Sequence, residues 1–161
     1  MTTATMEQYY ATRPQKRMAA GIVWFDEAYR LVIGRPKINT AEAGKWSIPG
    51  GVVEVGESPL AGAIRESKEE MGLNAKTPRI LAVHYLKAAG VRTESIQFYF
   101  LGAILSAEDI RALRLPEGSE WEEFRLASSD EARTLLSPDL SACVDDWISA
   151  AREGTTFYVE T

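Results

Sequence analysis

The sequence predicts an α/β fold in which a mixed sheet lies between helical layers. Three observations carry that prediction. Apolar runs of strand length stand on both sides of one well-delimited helical stretch, Pro59 to Met71. Helical stretches then dominate the C-terminal third, an order that suits helices covering both faces of a sheet. Near the end, Leu140, Val144, Trp147, Ile148 and Ala151 recur at helical spacing, an apolar stripe that needs a surface to cover it.

In chain order, residues 1–14 are polar and read as a flexible tail, although Tyr9 and Tyr10 could dock. Residues 15–161 then form a single domain, long enough to bury a real core. Arg17 to Phe25, RMAAGIVWF, reads as a strand covered on both sides. Asp26-Glu27-Ala28 is a turn signal, and Tyr29 to Gly34 returns as a second strand. A polar loop, Pro36 to Lys45, precedes Trp46-Ser47-Ile48-Pro49 and the Gly50-Gly51 pair. Ser58 can cap the next helix, Pro59 suits its first position, and Gly72 suits a left-handed stop. Arg79 to Lys87 and Ser95 to Leu105 read as paired strands, with Ala89-Gly90 in the turn. Ser106 caps a short helix through Leu113, and Trp121 to Leu126 is a shorter strand. Ser129 caps a helix through Leu136, Ser137-Pro138 opens the last helix, and Gly154 ends it. Thr156 to Val159 adds an edge strand.

Composition narrows the function. A net charge of -5 disfavours a nonspecific nucleic-acid surface. No apolar run reaches membrane-spanning length, and the first residues lack the apolar core of a signal peptide. Cys143 is the lone cysteine, so no internal disulfide can form. These features read as a cytoplasmic protein without a membrane or nucleic-acid partner.

The chemistry concentrates in the Pro59–Met71 helix. Leu60, Ile64, Ser67 and Met71 form one stripe, while Glu66, Glu69 and Glu70 share a different face. Like charges there repel, and a cation would reverse the sign. Hard oxygen ligands suit Mg²⁺ or Mn²⁺.

The stretch Gly51 to Leu73, GVVEVGESPLAGAIRESKEEMGL, resembles the Nudix box. That signature reads Gly, five residues, Glu, seven residues, Arg-Glu-aliphatic-any-Glu-Glu-any-Gly-aliphatic. Gly51, Glu57, Arg65, Glu66, Glu69, Glu70, Gly72 and Leu73 occupy its positions. Ser67 departs from it, standing where the family has a bulky aliphatic residue. Its loss there reads as a packing deficit of roughly 1.5–3 kcal/mol.

The resemblance implies a Nudix-type α/β/α sandwich and a hydrolase that cleaves a nucleoside diphosphate linked to another moiety by water attack on phosphorus. It implies Mg²⁺, with Mn²⁺ substituting, and a small-molecule diphosphate substrate. Glu66 and Glu70 would be the principal metal ligands, Glu69 would bind metal through water or act as base, and the Gly50 carbonyl would complete the site. Arg65 would pair with Glu57 or Glu69 and hold the group in place. A further acidic ligand is expected outside the box. Among Glu117, Glu120, Glu122 and Glu123, Glu120 is chosen because it lies just ahead of a strand.

Arg17, Arg35, Lys37 and Lys45 could meet phosphate. Tyr85, Tyr99 and Trp46 could stack on a base. His84 and Cys143 read as packed residues, not as reactive groups. Homodimers are common in such proteins. Alternatives are hydrolysis of a non-nucleoside diphosphate such as an isoprenoid, a non-catalytic nucleotide-sensing module, and an isoprenoid diphosphate isomerase. The isomerase would need a cysteine near the glutamates, and Cys143 is far from them in sequence.

Overall fold

The computed structural model describes residues 3–37 and 44–161, with side chains from residue 6 onward. Residues 38–43, in the expected polar loop, lie outside the described residues. The elements in chain order are α1 (Thr3–Ala11), β1 (Arg17–Asp26), β2 (Leu31–Pro36), β3 (Gly50–Val52) and α2 (Pro59–Met71). There follow β4 (Arg79–Leu86), β5 (Ser95–Leu105), α3 (Ala107–Ala112), β6 (Trp121–Ala127), α4 (Ser129–Leu135), α5 (Pro138–Ser141), α6 (Val144–Glu153) and β7 (Phe157–Glu160). The strands make one mixed sheet in the order β6-β2-β1-β5-β4-β7, with β3 beside β1.

β1 is the pivot. β5 runs parallel to it from Arg17↔Ser95 to Asp26↔Leu105. β2 and β3 share its other edge: β3 pairs at Ala19–Gly21 and β2 at Phe25↔Leu31. This sharing puts Gly50 and Gly51 against the sheet centre. The run is apolar because both faces are covered. On one face Ile22 and Trp24 pack with Ala63 and Met71 of α2. On the other, Val23 and Phe25 pack with Ala132 of α4 and Val144 and Trp147 of α6. The result is the expected α/β/α sandwich. Among the described residues, no helix is long and apolar enough to cross a membrane.

Helix α2 forms as its sequence dictates. Ser58 accepts a hydrogen bond from the Ala61 amide, Pro59 takes the first turn, and Gly72 closes the helix at φ 70°.

The structure corrects several expectations. The tail contains a helix over Thr3–Ala11, in which Ala4, Met6, Glu7, Gln8 and Ala11 are good helix formers. Tyr9 and Tyr10 remain exposed and pack edge-on against each other at 5.4 Å. β2 begins at Leu31 because Tyr29 takes a left-handed turn at φ 57°, unusual for a bulky residue. Asp26 holds that turn by accepting from the Ala28 and Arg30 amides at 3.0 and 2.8 Å. Ser128, not Ser129, caps α4, through a capping box with Glu131. The last helix is broken: the Cys143 amide bonds back to Leu140 O, so the chain tightens between α5 and α6. The face that α6 buries is Val144, Trp147 and Ala150.

The α2 stripe also differs. Leu60 is exposed, and the buried positions are Gly62, Ala63, Ser67 and Met71. Ser67 leaves no packing deficit. The Trp24 indole N–H donates to Ser67 Oγ at 3.0 Å, and Ser67 Oγ donates to Leu73 O at 3.1 Å. A buried indole needs a partner, and the hydroxyl supplies one. Replacing Ser67 with Ala should therefore cost about 1–3 kcal/mol in urea unfolding, since the indole is left buried and unpaired. The double variant Trp24→Phe/Ser67→Ala should lose less than the sum of the singles. Strict additivity would show that the two side chains do not interact.

Candidate active site

The site is built from the carboxylates of α2, the loop before it and the segment before β6. Glu66, Glu69, Glu70 and Glu120 line one cleft of ≈ 420 Å³ together with Arg65 and Gly118. Arg65 organises it. Its Nε and Nη2 donate to the two oxygens of Glu57 at 3.0 and 3.2 Å. Nη1 donates to Glu66 at 2.9 Å and to Glu69 at 3.2 Å. These contacts raise the arginine's pKa, with Glu57 the largest cause, and lower that of Glu57.

Two glycines make room for carboxylates. A Cβ on Gly51 would lie 2.4 Å from Glu66 Oε1, and one on Gly62 would lie 2.8 Å from Glu57 Oε2. Gly62 is the fourth residue of α2, inside the helix, where glycine is less favourable than alanine. The space it leaves for Glu57 explains its presence.

Glu70 is in a different environment. Its Oε2 accepts from the Gly50 amide at 2.9 Å. Burial pushes its carboxyl up to about 8; the negative charges of Glu66 and Glu120 add to the rise, while Gly50 and the Trp121 side chain oppose it. The Glu120 loop is tied to α2, because Ser119 Oγ donates to Glu70 O at 2.8 Å and accepts from the Trp121 amide at 3.1 Å.

These donors fit a hard divalent cation. Every acidic group on the lining is a carboxylate, no histidine or cysteine joins them, and charge crowds around Glu70. Among the described residues no three such groups converge into a preformed cage. Glu66 and Glu69 are turned onto Arg65, and Gly50 engages Glu70 through its N–H.

A second, larger cleft of ≈ 580 Å³ backs onto the same Gly50–Gly51 ribbon. Its size suits a small ligand. Arg17, Lys45, Trp46 and Tyr99 line it. Tyr99 is 3% exposed and packs edge-on against Trp147 at 4.7 Å, so it forms floor and offers no stacking face. Arg35 and Tyr85 lie outside both clefts. Arg35 pairs with Glu122 and Glu123 on β6 at 2.9 and 2.7 Å, and the Tyr85 hydroxyl donates to Glu94. Lys37 Nζ donates to Ser119 O at 2.6 Å.

His84 is buried, with Nδ1 3.2 Å from Cys143 Sγ and Nε2 2.9 Å from Thr161 Oγ1. Burial lowers its pKa and pushes the Cys143 thiol up to about 12. Neither residue lines the acidic cleft, so the cysteine–glutamate shuttle of an isomerase has no geometry here.

Sequence reasoning missed Gly62, Ser119, Trp121 and Asp139; it placed specificity in the loops Pro36 to Lys45 and Lys87 to Arg92 without singling out Arg92. Gly62 alone left a signal, as a helix-weakening residue inside a helix.

The family model of the NUDIX domain matches residues 15–147. A MutT-like protein of Streptomyces ambofaciens is 30% identical over 90 residues, 51% of this chain and 55% of that protein. A CMP-5'-(N-acetyl-N-hydroxy-3-aminopropyl)phosphonate hydrolase of Streptomyces rubellomurinus is 30% identical over 132 residues, 82% of this chain and 60% of that one. The chain thus spans little more than half the length of these two relatives. The crystallised NUDIX domain of Shewanella oneidensis NrtR, complexed with ADP ribose, shares the fold at TM-score 0.68 and 16% identity, covering 96% of this chain and 99% of that one.

The Glu70 environment sets a pH dependence. A carboxyl whose pKa is raised on folding binds its proton more tightly in the folded state, so stability falls as pH rises from 4.5 to about 8. In EDTA, denaturant unfolding should show a loss of up to about 1.4 kcal/mol per pH unit across that window. Glu70→Gln should flatten the profile; an unchanged slope would place the proton elsewhere.

Proposed function

The chain belongs to the NUDIX family, and on that footing we propose that it is a metal-dependent hydrolase cleaving a diphosphate linkage between a nucleoside and a second moiety. The observation that carries this reading is one glycine ribbon that touches both clefts: Gly50 and Gly51 line the ligand-sized cavity, and the same two residues meet Glu70 and Glu66 of the four-carboxylate cleft. A diphosphate laid over Gly50 and Gly51 meets no side chain from the ribbon.

In this reading Glu66 and Glu70 would hold Mg²⁺ or Mn²⁺, with Glu120 as the ligand from outside the helix. When bound, the ion would neutralise phosphate charge and lower the pKa of water. Arg65 positions Glu66 and Glu69 and keeps Glu57 ionised. Glu69 is the most exposed of the three helix carboxylates, its side chain 58% accessible, and is left as the base for the attacking water. Glu70 must shed its proton to act as a ligand, so activity should climb toward alkaline pH. A sensing module without turnover is the weaker reading, since all the box glutamates are present.

The test is hydrolysis of a panel of nucleotide sugars, dNTPs, dinucleotides and prenyl diphosphates. Turnover should require Mg²⁺ or Mn²⁺ and stop with EDTA. Glu70→Gln should reduce kcat by at least about 100-fold, and Gly51→Ala by roughly 10–100-fold as the added methyl displaces Glu66. Full turnover by Glu70→Gln would refute the metal assignment. Cleavage of prenyl diphosphates alone would move the substrate to the non-nucleoside class, and tight binding without cleavage across the panel would favour the sensor.

A further inference from the structure

The larger cleft is cationic in an acidic protein. Arg17, Lys45 and Arg92 line it, and among the described residues Asp139 is its single acidic lining residue. The chain as a whole carries a net charge of -5. A cavity with that local excess concentrates anions. A diphosphate would find its counter-charge in the acidic cleft once ions are bound there. The cations of the larger cleft are therefore available to a different anionic group.

Arg92 is the one among them that is built in. It sits in the loop joining β4 to β5, where Ala89 and Arg92 exchange two backbone hydrogen bonds of 3.0 Å. Its Nη1 donates to Asp139 on α5, and Nη2 reaches Lys87 O at 3.4 Å. Its Nε is buried with no hydrogen-bond partner among the described residues. The two side chains are 33% and 31% exposed, so the pair is set into the cleft wall yet open to a ligand. A free surface arginine would sample many rotamers, whereas this fork is oriented before anything binds.

Position supports the same role. Gly50 pairs with Gly21, whereas the Arg92 loop joins strands that end beside Arg17, at Leu86↔Ser95 and Arg17↔Ser95. Four residues of β1 separate the two levels, roughly 13 Å. Arg92 therefore stands away from the ribbon, beside whatever the diphosphate carries. Gln97, on the same lining, accepts from the Tyr99 hydroxyl through Oε1, which leaves its amide N–H groups as further donors.

We infer that Arg92, oriented by Asp139, is a specificity-determining residue that selects diphosphates whose second moiety carries its own phosphate or carboxylate. The inference rests on the proposed hydrolase reading for the position of the diphosphate.

The test uses substrate pairs that differ chiefly in one anionic group, UDP-glucose against UDP-glucuronate and NADH against NADPH. Binding is measured by calorimetry with Ca²⁺, a hard oxygen-seeking cation that can occupy the carboxylates in place of Mg²⁺, and turnover is measured separately with Mg²⁺. The anionic member of at least one pair should bind about tenfold more tightly. Arg92→Ala should shrink that preference to about twofold, and Arg92→Lys, which keeps the charge without the fork, should retain part of it. Circular dichroism checks that each variant folds, with Arg92→Gln in reserve should Ala fail. Equal binding within both pairs, no binding of any member, or a preference that survives Arg92→Ala or Arg92→Gln would overturn the inference. An Arg92-dependent preference without turnover would uphold it and refute the hydrolase reading.

Discussion

One guanidinium holds the acidic cleft together. Arg65 contacts Glu57, Glu66 and Glu69 at once, and its bidentate grip on Glu57 ties the loop before α2 to the helix itself. Without it, several carboxylates would face one another across a few ångströms with only water to screen them. A charge-assisted fork suits this task better than a lysine, because it can serve several acceptors from one planar group. The glycines at 51 and 62 belong to the same device, since each vacates the space that a carboxylate oxygen occupies.

The second constraint is the edge-sharing around β1. Because β3 replaces β2 along Ala19–Gly21, a glycine ribbon lines the cationic cleft and meets Glu66 and Glu70 of the carboxylate-lined one. The two clefts differ in charge, carboxylates lining one and Arg17, Lys45 and Arg92 lining the other. The Glu120 loop reaches the first cleft by an independent route. It is held there by the Ser119 hydroxyl, which donates to Glu70 O at the end of α2 and accepts from the Trp121 amide.

Ser67 shows how a departure from a family pattern can be compensated. Read along the chain, it is a polar residue where an aliphatic one should pack. In the fold it accepts the Trp24 indole and passes a hydrogen bond on to Leu73, so α2 is fastened to β1 through a polar contact. The cost of burying a hydroxyl is offset because both of its partners need it.

Local signals were legible in the sequence. The caps of α2, the spacing of its glutamates and the strand character of β1, β4 and β5 depend on neighbours within a turn or two, and these appear where expected. One error was local: Asp26 accepts from the Ala28 and Arg30 amides and bends Tyr29 into a turn. Another arose where a distant residue took over: the single expected C-terminal helix breaks at Ala142–Cys143, where Cys143 meets His84 of β4. The sequence by itself determined the fold class, the acidic helix face and the arginine among its glutamates. Only the tertiary structure decided that Arg35 and Tyr85 are engaged elsewhere, that Ser67 has a partner and that Arg92 meets Asp139 in a cleft wall. Those contacts join residues from separate elements, and no periodicity along the chain encodes which distant side chains the sheet will bring together.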